Sequence, residues 1–580
     1  MTPAQRARLR KAAWPVGIVV AAAVAVVWCE AAGWPFLEGP AQRQLSQRLQ
    51  RPVQFGEHFR LKLFGSIRLD TDALRVGAPQ GLPSDSPLGG NLLGARDVHL
   101  ELPFSTVMNL LRSRHDEPPR ITSLRLEAAQ ASLKRLADGR ANWTFGAPHP
   151  AAADQPFDMP VVDELVLRQG HVTYDDAVLK SSLDATVSTS EGRTAQGASD
   201  AGLAIEGRGK HENQPFEVHV HSAGVLPLVA RDHAARVPIT IRLIAGDSRF
   251  SFDGTGTDVL SFEAIDGAAT LSGPSLAKVG DKLGVTLPTT EPFTLKARLT
   301  KSGPLWSLKN ADLAVGDSRL AGEFSYDRSA KVPMLTGELG GPRLVLADLL
   351  PAFGAARPGT GNPKPPPGHL LPQREFDIPS LHRMNARVKL RLQRAELGTL
   401  FREPLAPLQG DLSLDGGVLA IDKLLARAAG GELKGSMSVD PNNAVPQWRA
   451  DMRWAGIDLD QWLRPRNRTS QVAKPSGENP GYVTGKLGGH AQLRARGRSA
   501  AQVVGSADGT VQMWVRDGTV SHLAVEAAGI DVAQALGVYL IGDNPLPMQC
   551  AVVKADAKGG KLTPEVAIVD TKDSTLLVSG

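Results

Sequence analysis

The sequence predicts a mainly β protein that follows a single N-terminal transmembrane helix. Residues 12–29 form an uncharged, mostly apolar run, and a stretch of about 18 or more such residues is typical of a membrane-spanning helix. Most of the remaining chain alternates apolar and polar residues, which is the period of a strand with one buried face. The chain also contains 59 glycines and 42 prolines, which favour turns over long helices. We therefore expect one transmembrane helix, many antiparallel strands and few short helices.

The predicted transmembrane helix covers residues 12–32, and residues 1–11 are its cytoplasmic flank. The flank is basic, whereas the nearest charge on the other side is Glu30, and positive flanks stay in the cytoplasm. In a bacterium with two membranes, the rest of the chain then lies in the periplasm. A cleaved signal peptide is the alternative, but Trp28 and Glu30 crowd the expected cleavage sites. The predicted anchor residues are Trp14, Trp28, Arg8, Arg10 and Lys11.

Composition argues against several classes of function. The net charge is +5 with both signs interspersed, so the sequence lacks the basic block of a nucleic-acid-binding protein. The two cysteines, Cys29 and Cys550, lie too far apart in their expected locations to form a disulfide. We find no arrangement of acid, base and nucleophile that indicates an enzyme, and we expect no catalytic residues and no cofactor.

Two β-hairpins carry the clearest alternation. Residues 237–243 alternate before the turn 245–248, and 203–206 and 216–221 flank a second turn. Their apolar positions should share one face of a sheet, which must be covered by another layer, closed into a barrel or occupied by a ligand. Two ordinary sandwiches and an elongated sheet curled into a gutter both satisfy that requirement. If the gutter forms, the residues predicted to line it are Val218, Val220, Ile239, Ile241, Leu243, Phe250 and Phe252.

A short amphipathic helix is predicted directly after the membrane. Leu37, Ala41, Leu45 and Leu49 fall four residues apart, which places them on one helical face. This stripe fits a helix that lies on the membrane surface and guides lipid into a groove. It fits equally well a helix that caps the first strands.

Polar side chains on the second hairpin offer a candidate metal site. Glu217, His219 and His221 alternate on one strand, and His211 lies across the turn, a set of ligands that zinc accepts. Because apolar neighbours take the opposite face, we interpret these residues as a solvated outer surface, and we predict no metal.

The chain divides into seven predicted segments. Two of the segments are linkers, one rich in proline and one rich in polar residues. Residues 320–327 resemble residues 433–440, and the last four residues resemble the start of a third copy, so we expect the chain to continue beyond Gly580. The predicted segments are 1–11, 12–32, a β-groove region 33–356, the linker 357–372, a β repeat 373–463, the linker 464–481 and a C-terminal β region 482–580.

Several short motifs resemble the AsmA family of inner-membrane-anchored proteins. Gln50-Arg51-Pro52-Val53 is similar to the family's Gly-Arg-Pro-Val, and residues 138–143 (Asp-Gly-Arg-Ala-Asn-Trp) closely match its D-G-x-x-N-W signature. Residues 165–175, 273–276, 287–288 and 316–318, together with Trp306 and 549–571, follow in family order. We interpret Asn142 and Trp143 as structural, with the asparagine satisfying a turn and the tryptophan buried.

The resemblance implies a repeating β-groove, an elongated curled sheet related to bridge-like lipid transfer proteins. It also implies phospholipid movement toward the outer membrane and a role in envelope integrity. Expected partners are phospholipids, the inner membrane and outer-membrane or periplasmic envelope proteins, without nucleic acid. A structural factor for outer-membrane protein assembly, which binds polypeptide at a sheet edge, is the alternative function.

Overall fold

The computed structural model is mainly β, as the alternation predicts. The described residues are 21–77, 90–111, 120–143, 161–191, 202–224, 236–257, 264–283, 285–353, 374–376, 378–398, 401–463, 483–521, 545–571 and 575–578. Within them, 27 strands belong to one sheet by hydrogen bonding and two more form a separate short pair. Contacts divide the chain into two compact units, Met1–Gly267 (unit 1) and Ala268–Gly580 (unit 2). The predicted mainly β class is confirmed.

The first fourteen strands lie in unit 1, except that the last of them crosses the boundary between the units. They are β1 (Val53–Phe55), β2 (Arg60–Lys62), β3 (Ile67–Gly77), β4 (Asn91–Leu102), β5 (Arg120–Ile121), β6 (Ser123–Arg135), β7 (Val161–Val162), β8 (Leu165–Asp176), β9 (Ser181–Glu191), β10 (Gly202–His211), β11 (Gln214–Ser222), β12 (Val237–Ala245), β13 (Ser248–Thr257) and β14 (Ala264–Gly273).

The other fifteen strands lie in unit 2. They are β15 (Phe293–Ser302), β16 (Leu305–Val315), β17 (Ser318–Asp327), β18 (Met334–Val345), β19 (Asn385–Leu392), β20 (Ala395–Glu396), β21 (Leu408–Asp415), β22 (Val418–Ala428), β23 (Gly431–Asp440), β24 (Gln447–Asp458), β25 (Lys486–Arg496), β26 (Asp508–Ser521), β27 (Pro545–Lys558), β28 (Lys561–Thr571) and β29 (Thr575–Val578).

The described helices are short. The α-helices are α1 (Ala21–Ala32), α2 (Glu38–Leu49), α3 (Phe104–Leu111), α4 (Leu276–Leu283), α5 (Leu459–Trp462) and α6 (Ala500–Gly505). The 3-10 helices are Pro35–Leu37, Leu346–Phe353 and Pro379–His382.

The described strands of the main sheet in unit 1 form a meander with one parallel join, and the short strands β5 and β7 pair in parallel apart from it. Strands β1 and β2 both pair with β3, and β3, β4 and β6 then pair in antiparallel order. Strand β8 joins β6 in parallel, and β8 to β13 continue as antiparallel neighbours. Both predicted hairpins are confirmed as β10–β11 and β12–β13. The turn of the β10–β11 hairpin consists of Glu212 and Asn213, whose φ angles of 49° and 65° are left-handed, as a tight hairpin requires.

Unit 2 repeats the same plan. Strands β15 to β18 are antiparallel, β19 joins β18 in parallel, and the antiparallel order then runs from β19 through β21 to β29. The two resembling segments, 320–327 and 433–440, lie in β17 and β23. The buried apolar residues form small separate clusters, such as the one around Val279, Phe293 and Val315.

Part of the predicted segment division falls on residues that are not described. The proline-rich linker 357–372 and the polar linker 464–481 lie outside the described residues, as do residues 1–11 and the first part of the predicted span 12–32. The seven-segment division therefore stays a prediction.

Candidate functional site

One face of the unit 1 sheet carries a row of directly opposed apolar residues. Residues that pair across neighbouring strands point to the same face, so the strand register shows which side chains stand side by side. The register connects ten strands without interruption. This unit 1 row consists of Phe55, Leu74, Ala95, Ala129, Gly170, Val187, Ile205, Val220, Ile241 and Phe252.

All seven predicted lining residues lie on this face. Val220 pairs with Ile241 and Ile241 with Phe252, and the neighbouring trio Val218, Leu243 and Phe250 pairs in the same way. Ile239 lies two residues from Ile241 and is opposite Gly254. Phe252 and Ile239 are buried, with 1% and 6% of their surface exposed, whereas the other five are half-buried. The shared face follows from the register, and lipid contact by these residues stays a prediction.

The sheet of unit 2 carries a second row with the same character. The unit 2 row consists of Leu299, Leu308, Phe324, Gly337, Val388, Leu412, Ile421, Met437, Ala450, Leu493, Gly509, Ala557 and Leu562. A parallel track on the same face includes Leu408, Ala426, Leu433, Trp454, Gly489, Met513, Val553 and Ala567. Met437 remains 45% exposed, so part of this face is accessible rather than sealed as a core.

Large rings on the apolar face lie over glycine backbone. A Cβ at Gly254 or Gly267 would come within 2.8 Å of the Phe252 ring, and a Cβ at Gly337 would lie 2.7 Å from the ring of Phe324. Strand glycines commonly mark such close approaches. These glycines and the alanines of the rows cannot be assigned to the face from sequence, because small residues carry little hydrophobic signal in an alternating pattern.

The opposite face is charged. Arg242 pairs with Asp253 at 3.0 Å, and Arg208 pairs with Glu217 at 3.1 Å. The Arg242 guanidinium holds the pKa of the Asp253 carboxyl below its usual value. The sheet is therefore amphipathic, with polar side chains on one face and the apolar rows on the other.

Three of the candidate zinc ligands, Glu217, His219 and His221, lie on this charged face, whereas His211 shares the strand parity of Ile205 and stands on the other face at the end of β10. His211 hydrogen-bonds with the Ser181 hydroxyl at 2.7 Å, and His219 stands opposite Arg242. Among the described residues, no group of three or more His, Cys, Asp or Glu side chains is placed to hold a metal ion.

The D-G-x-x-N-W signature closes a turn at the end of β6. The side chain of Asn142 accepts a hydrogen bond from the Lys134 amide at 2.8 Å and donates one to the Ser132 carbonyl at 2.7 Å. Asn142 is buried, and Trp143, which is half-buried, packs against Tyr174 with ring centroids 5.7 Å apart. These contacts agree with the structural role assigned to Asn142, although Trp143 is less buried than expected.

The N-terminal helices meet at a sharp bend. Among the described residues, no single helix is long and apolar enough to cross a membrane, but α1 and the segment Pro35–Gln47 reach that length and composition together, with a 74° bend between them. Of the predicted anchor residues, Trp28 lies in α1 and is 69% exposed. Trp14, Arg8, Arg10 and Lys11 lie outside the described residues.

The predicted amphipathic helix forms as α2. Ala41 and Leu49 are half-buried and Leu45 is 39% exposed, whereas Leu37 ends the preceding 3-10 turn. Strand β1 contacts the helix, since the Ser46 hydroxyl accepts a hydrogen bond from the Val53 amide at 2.9 Å. This contact supports the interpretation that α2 caps the first strands. The exposed side chain of Leu45 is compatible with a helix that also lies on the membrane surface.

The strand order and the apolar rows define a mainly β protein in which each unit presents one apolar sheet face. Residues 294–566 match the model of the AsmA family. The AsmA family protein YhjG of Escherichia coli (strain K12) is 25% identical to the chain over 492 residues, which cover 79% of this chain and 69% of the relative. No solved structure matches the chain. The two matches support membership of the AsmA family and confirm the resemblance seen in the motifs, and that membership supports an envelope-associated protein.

Proposed function

We propose that the protein binds phospholipid acyl chains on its apolar sheet face and supports their transfer toward the outer membrane. The observation that supports this function most directly is the in-register row in each unit. Strands lie about 4.8 Å apart, so the ten-strand unit 1 row extends about 43 Å across the strands. That distance exceeds the half-thickness of about 15 Å that one acyl chain occupies in a bilayer.

Such a row would lower the free-energy barrier for an acyl chain that leaves the bilayer. An acyl chain that leaves the bilayer without cover costs about 0.8 kcal/mol for each methylene exposed to water. Most side chains of the unit 1 row are half-buried, so they offer apolar cover without a sealed core that would first have to open. Binding and transfer of this kind need no catalytic residue and no cofactor, so we propose a non-enzymatic role.

The proposed location is the bacterial inner membrane. In this proposal, a single span with a cytoplasmic N-terminus holds the sheet in the periplasm, where outer-membrane or periplasmic envelope proteins would receive the lipid. The basic flank ahead of the apolar run and the exposed apolar side chains of α1, including Val24 and Val27, support this arrangement.

A photo-cross-linking side chain tests the proposal at two neighbouring positions. Ile241 is on the apolar face, and Ser251, on the next strand, is opposite Arg242 on the charged face. The full chain with the cross-linker at position 241 should yield phospholipid adducts by mass spectrometry after irradiation in cells, and the position 251 control should not. Equal lipid yields at both positions would contradict the proposal. Polypeptide adducts at position 241 in place of lipid would favour the assembly-factor alternative.

A further inference from the structure

The end of α1 is clamped to the first hairpin of the sheet by one carboxylate. Glu30 accepts hydrogen bonds from the amides of Leu63 and Phe64 at 3.0 and 3.1 Å and from the indole of Trp34 at 2.8 Å. The carbonyl of Gly33 accepts a further bond from the Leu61 amide at 2.8 Å. The turn between β2 and β3 is therefore fixed directly against the end of α1.

Gly33 allows this close approach. Its φ of +80° is left-handed, and a Cβ at this position would lie 3.1 Å from the Cβ of Arg60. The next residue, Trp34, is also left-handed at φ 47°, a strained conformation for an aromatic residue. Together these two residues turn the chain sharply and hold it against β2.

Large aromatic side chains are exposed around this clamp. Phe64 at the tip of the turn is 60% exposed, Phe36 is 60% exposed and Trp28 is 69% exposed. Phe36 packs edge-on against Trp34, with ring centroids 5.7 Å apart. A folded protein rarely leaves several large aromatic rings in water on adjoining elements unless they meet a partner.

A fourth aromatic residue lies at the same end of the strands. Ile67 at the start of β3 pairs with Leu102 at the end of β4, so helix α3, which follows β4, begins beside the β2–β3 turn. Its first residue, Phe104, is 56% exposed.

Basic side chains lie on the elements next to these rings: β2 leads into the turn that carries Phe64, and α2 follows Phe36. Arg43 on α2 and Arg60 and Lys62 on β2 are exposed. Exposed aromatic rings flanked by cations suit the headgroup region of a phospholipid bilayer, where amphipathic rings and phosphate-binding cations are both favoured. Val24 and Val27, which precede Trp28 on α1, are exposed as well.

We propose that Trp28, Phe36, Phe64 and Phe104 form an interfacial patch that inserts into the headgroup region of a phospholipid bilayer and seats the first hairpin on the membrane. Glu30 positions the patch by fixing the hairpin to α1. The proposal rests on the proposed function only in requiring that α1 reach a bilayer, and the experiment tests that requirement separately.

Depth-dependent quenching tests the patch in the full chain. With Cys29 and Cys550 replaced by alanine, single cysteines at Val24, Phe64 or Leu179 would carry an environment-sensitive fluorophore. The protein would be reconstituted in phosphatidylethanolamine–phosphatidylglycerol vesicles that contain nitroxide-labelled lipids. Leu179 is the matched control, because it is 52% exposed and lies in the turn at the far end of β8.

We expect the label at position 64 to shift to the blue and to be quenched by headgroup-level nitroxides, with no such change at position 179. Quenching at position 24 by deep nitroxides shows that α1 is inserted. If position 24 is quenched and position 64 behaves like position 179, the interfacial patch is wrong while the anchor stands. If position 24 is not quenched, the membrane part of the proposed function is wrong as well.

A substitution at the clamp tests the positioning role of Glu30. Glu30→Ala should abolish the blue shift at position 64 and leave quenching at position 24 unchanged. Glu57→Ala, at an exposed acid close to the same turn in sequence, is the matched control and should change neither signal. An unchanged position 64 signal in Glu30→Ala would contradict the role of the clamp.

Discussion

At the scale of single residues, buried polar side chains at strand ends hold the sheet of unit 1 in register. Asn142 bonds the backbone of β6 at two points. Asp176 at the end of β8 accepts hydrogen bonds from the Arg135 guanidinium and the Tyr174 hydroxyl, and from the amides of Val178 and Leu179 at 2.9 Å. Both side chains flank the parallel join of β6 and β8, where no hairpin turn fixes the register.

Replacing Asn142 should destabilise unit 1. Asn142→Ala leaves the Lys134 amide and the Ser132 carbonyl without their side-chain partner, and an unsatisfied buried polar group costs about 1–3 kcal/mol. Urea unfolding followed by circular dichroism would measure the loss. Asn91→Ala, at an exposed position in β4, is the control and should stay close to the unsubstituted protein.

The acid stability of the protein should depend on Asp176. The hydrogen bond from Arg135 is the main cause that lowers the pKa of this carboxyl from its ordinary value of 3.8. A pKa that is depressed by folding contributes stability above the unfolded pKa, and this contribution is lost as the pH falls below that value. In Asp176→Asn, the melting temperature should be lower at neutral pH and should fall less steeply below about pH 4.

Melting curves from pH 3 to pH 7, read at about one-unit intervals, would show this difference. The control is Asp175→Asn, which changes the neighbouring exposed carboxylate. If both variants lose stability in acid with the slope of the unsubstituted protein, the Arg135–Asp176 pair does not control acid stability.

At the scale of elements, strands pack closely wherever a large ring covers a glycine. Gly254→Ala places a Cβ 2.4 Å from the Asp266 carbonyl and 2.7 Å from the Phe252 ring. Because backbone must move to relieve the first contact, we expect a loss of about 1–3 kcal/mol. Gly94→Ala in β4, where a Cβ meets no atom within 4 Å, should be tolerated. Equal unfolding midpoints in urea for the two variants would contradict this explanation.

Sequence alternation was enough to predict the strands, the two hairpins and the shared face of seven residues. A strand repeats every two residues, so Ile239, Ile241 and Leu243 must share a face wherever they pair. The parallel joins of β6 with β8 and of β18 with β19 could not be predicted, because such pairs depend on contacts between residues distant in sequence. Gly170 and Gly337 were missed for the same reason, since only the register places them in the rows.

The N-terminal elements show a second limit of prediction from sequence. The spacing of Leu37, Ala41, Leu45 and Leu49 predicted α2 but not the bend that precedes it. That bend depends on Gly33 and Trp34, which look unremarkable in the sequence until their contacts with Arg60 and Glu30 are seen. The exposure of Phe64 likewise follows from the clamp and not from its local sequence.

At the scale of the whole molecule, a charge introduced on the apolar face should impair lipid transfer, whereas a charge introduced on the charged face should not. Ile241→Asp places a carboxylate in the unit 1 row, where an acyl chain offers no hydrogen-bond partner and desolvation is costly. Cells that depend on this protein should become detergent-sensitive with Ile241→Asp but remain resistant with Ser251→Asp. Immunoblots of membrane fractions would verify equal amounts of the two variants. Full detergent resistance with Ile241→Asp would contradict lipid passage along the row.

The neighbour-to-neighbour strand order also affects how the chain is made. Almost every described strand pairs with one of the strands next to it in the chain, so the contacts that complete a strand are formed by residues that emerge almost together during synthesis. Short-range contacts of this kind close quickly, whereas distant ones are slow. Each unit can therefore lengthen strand by strand as the chain emerges. The newest edge serves as the template for the next strand, and growth should be slowest at the parallel joins of β6 with β8 and of β18 with β19, where the paired residues are more distant in the chain.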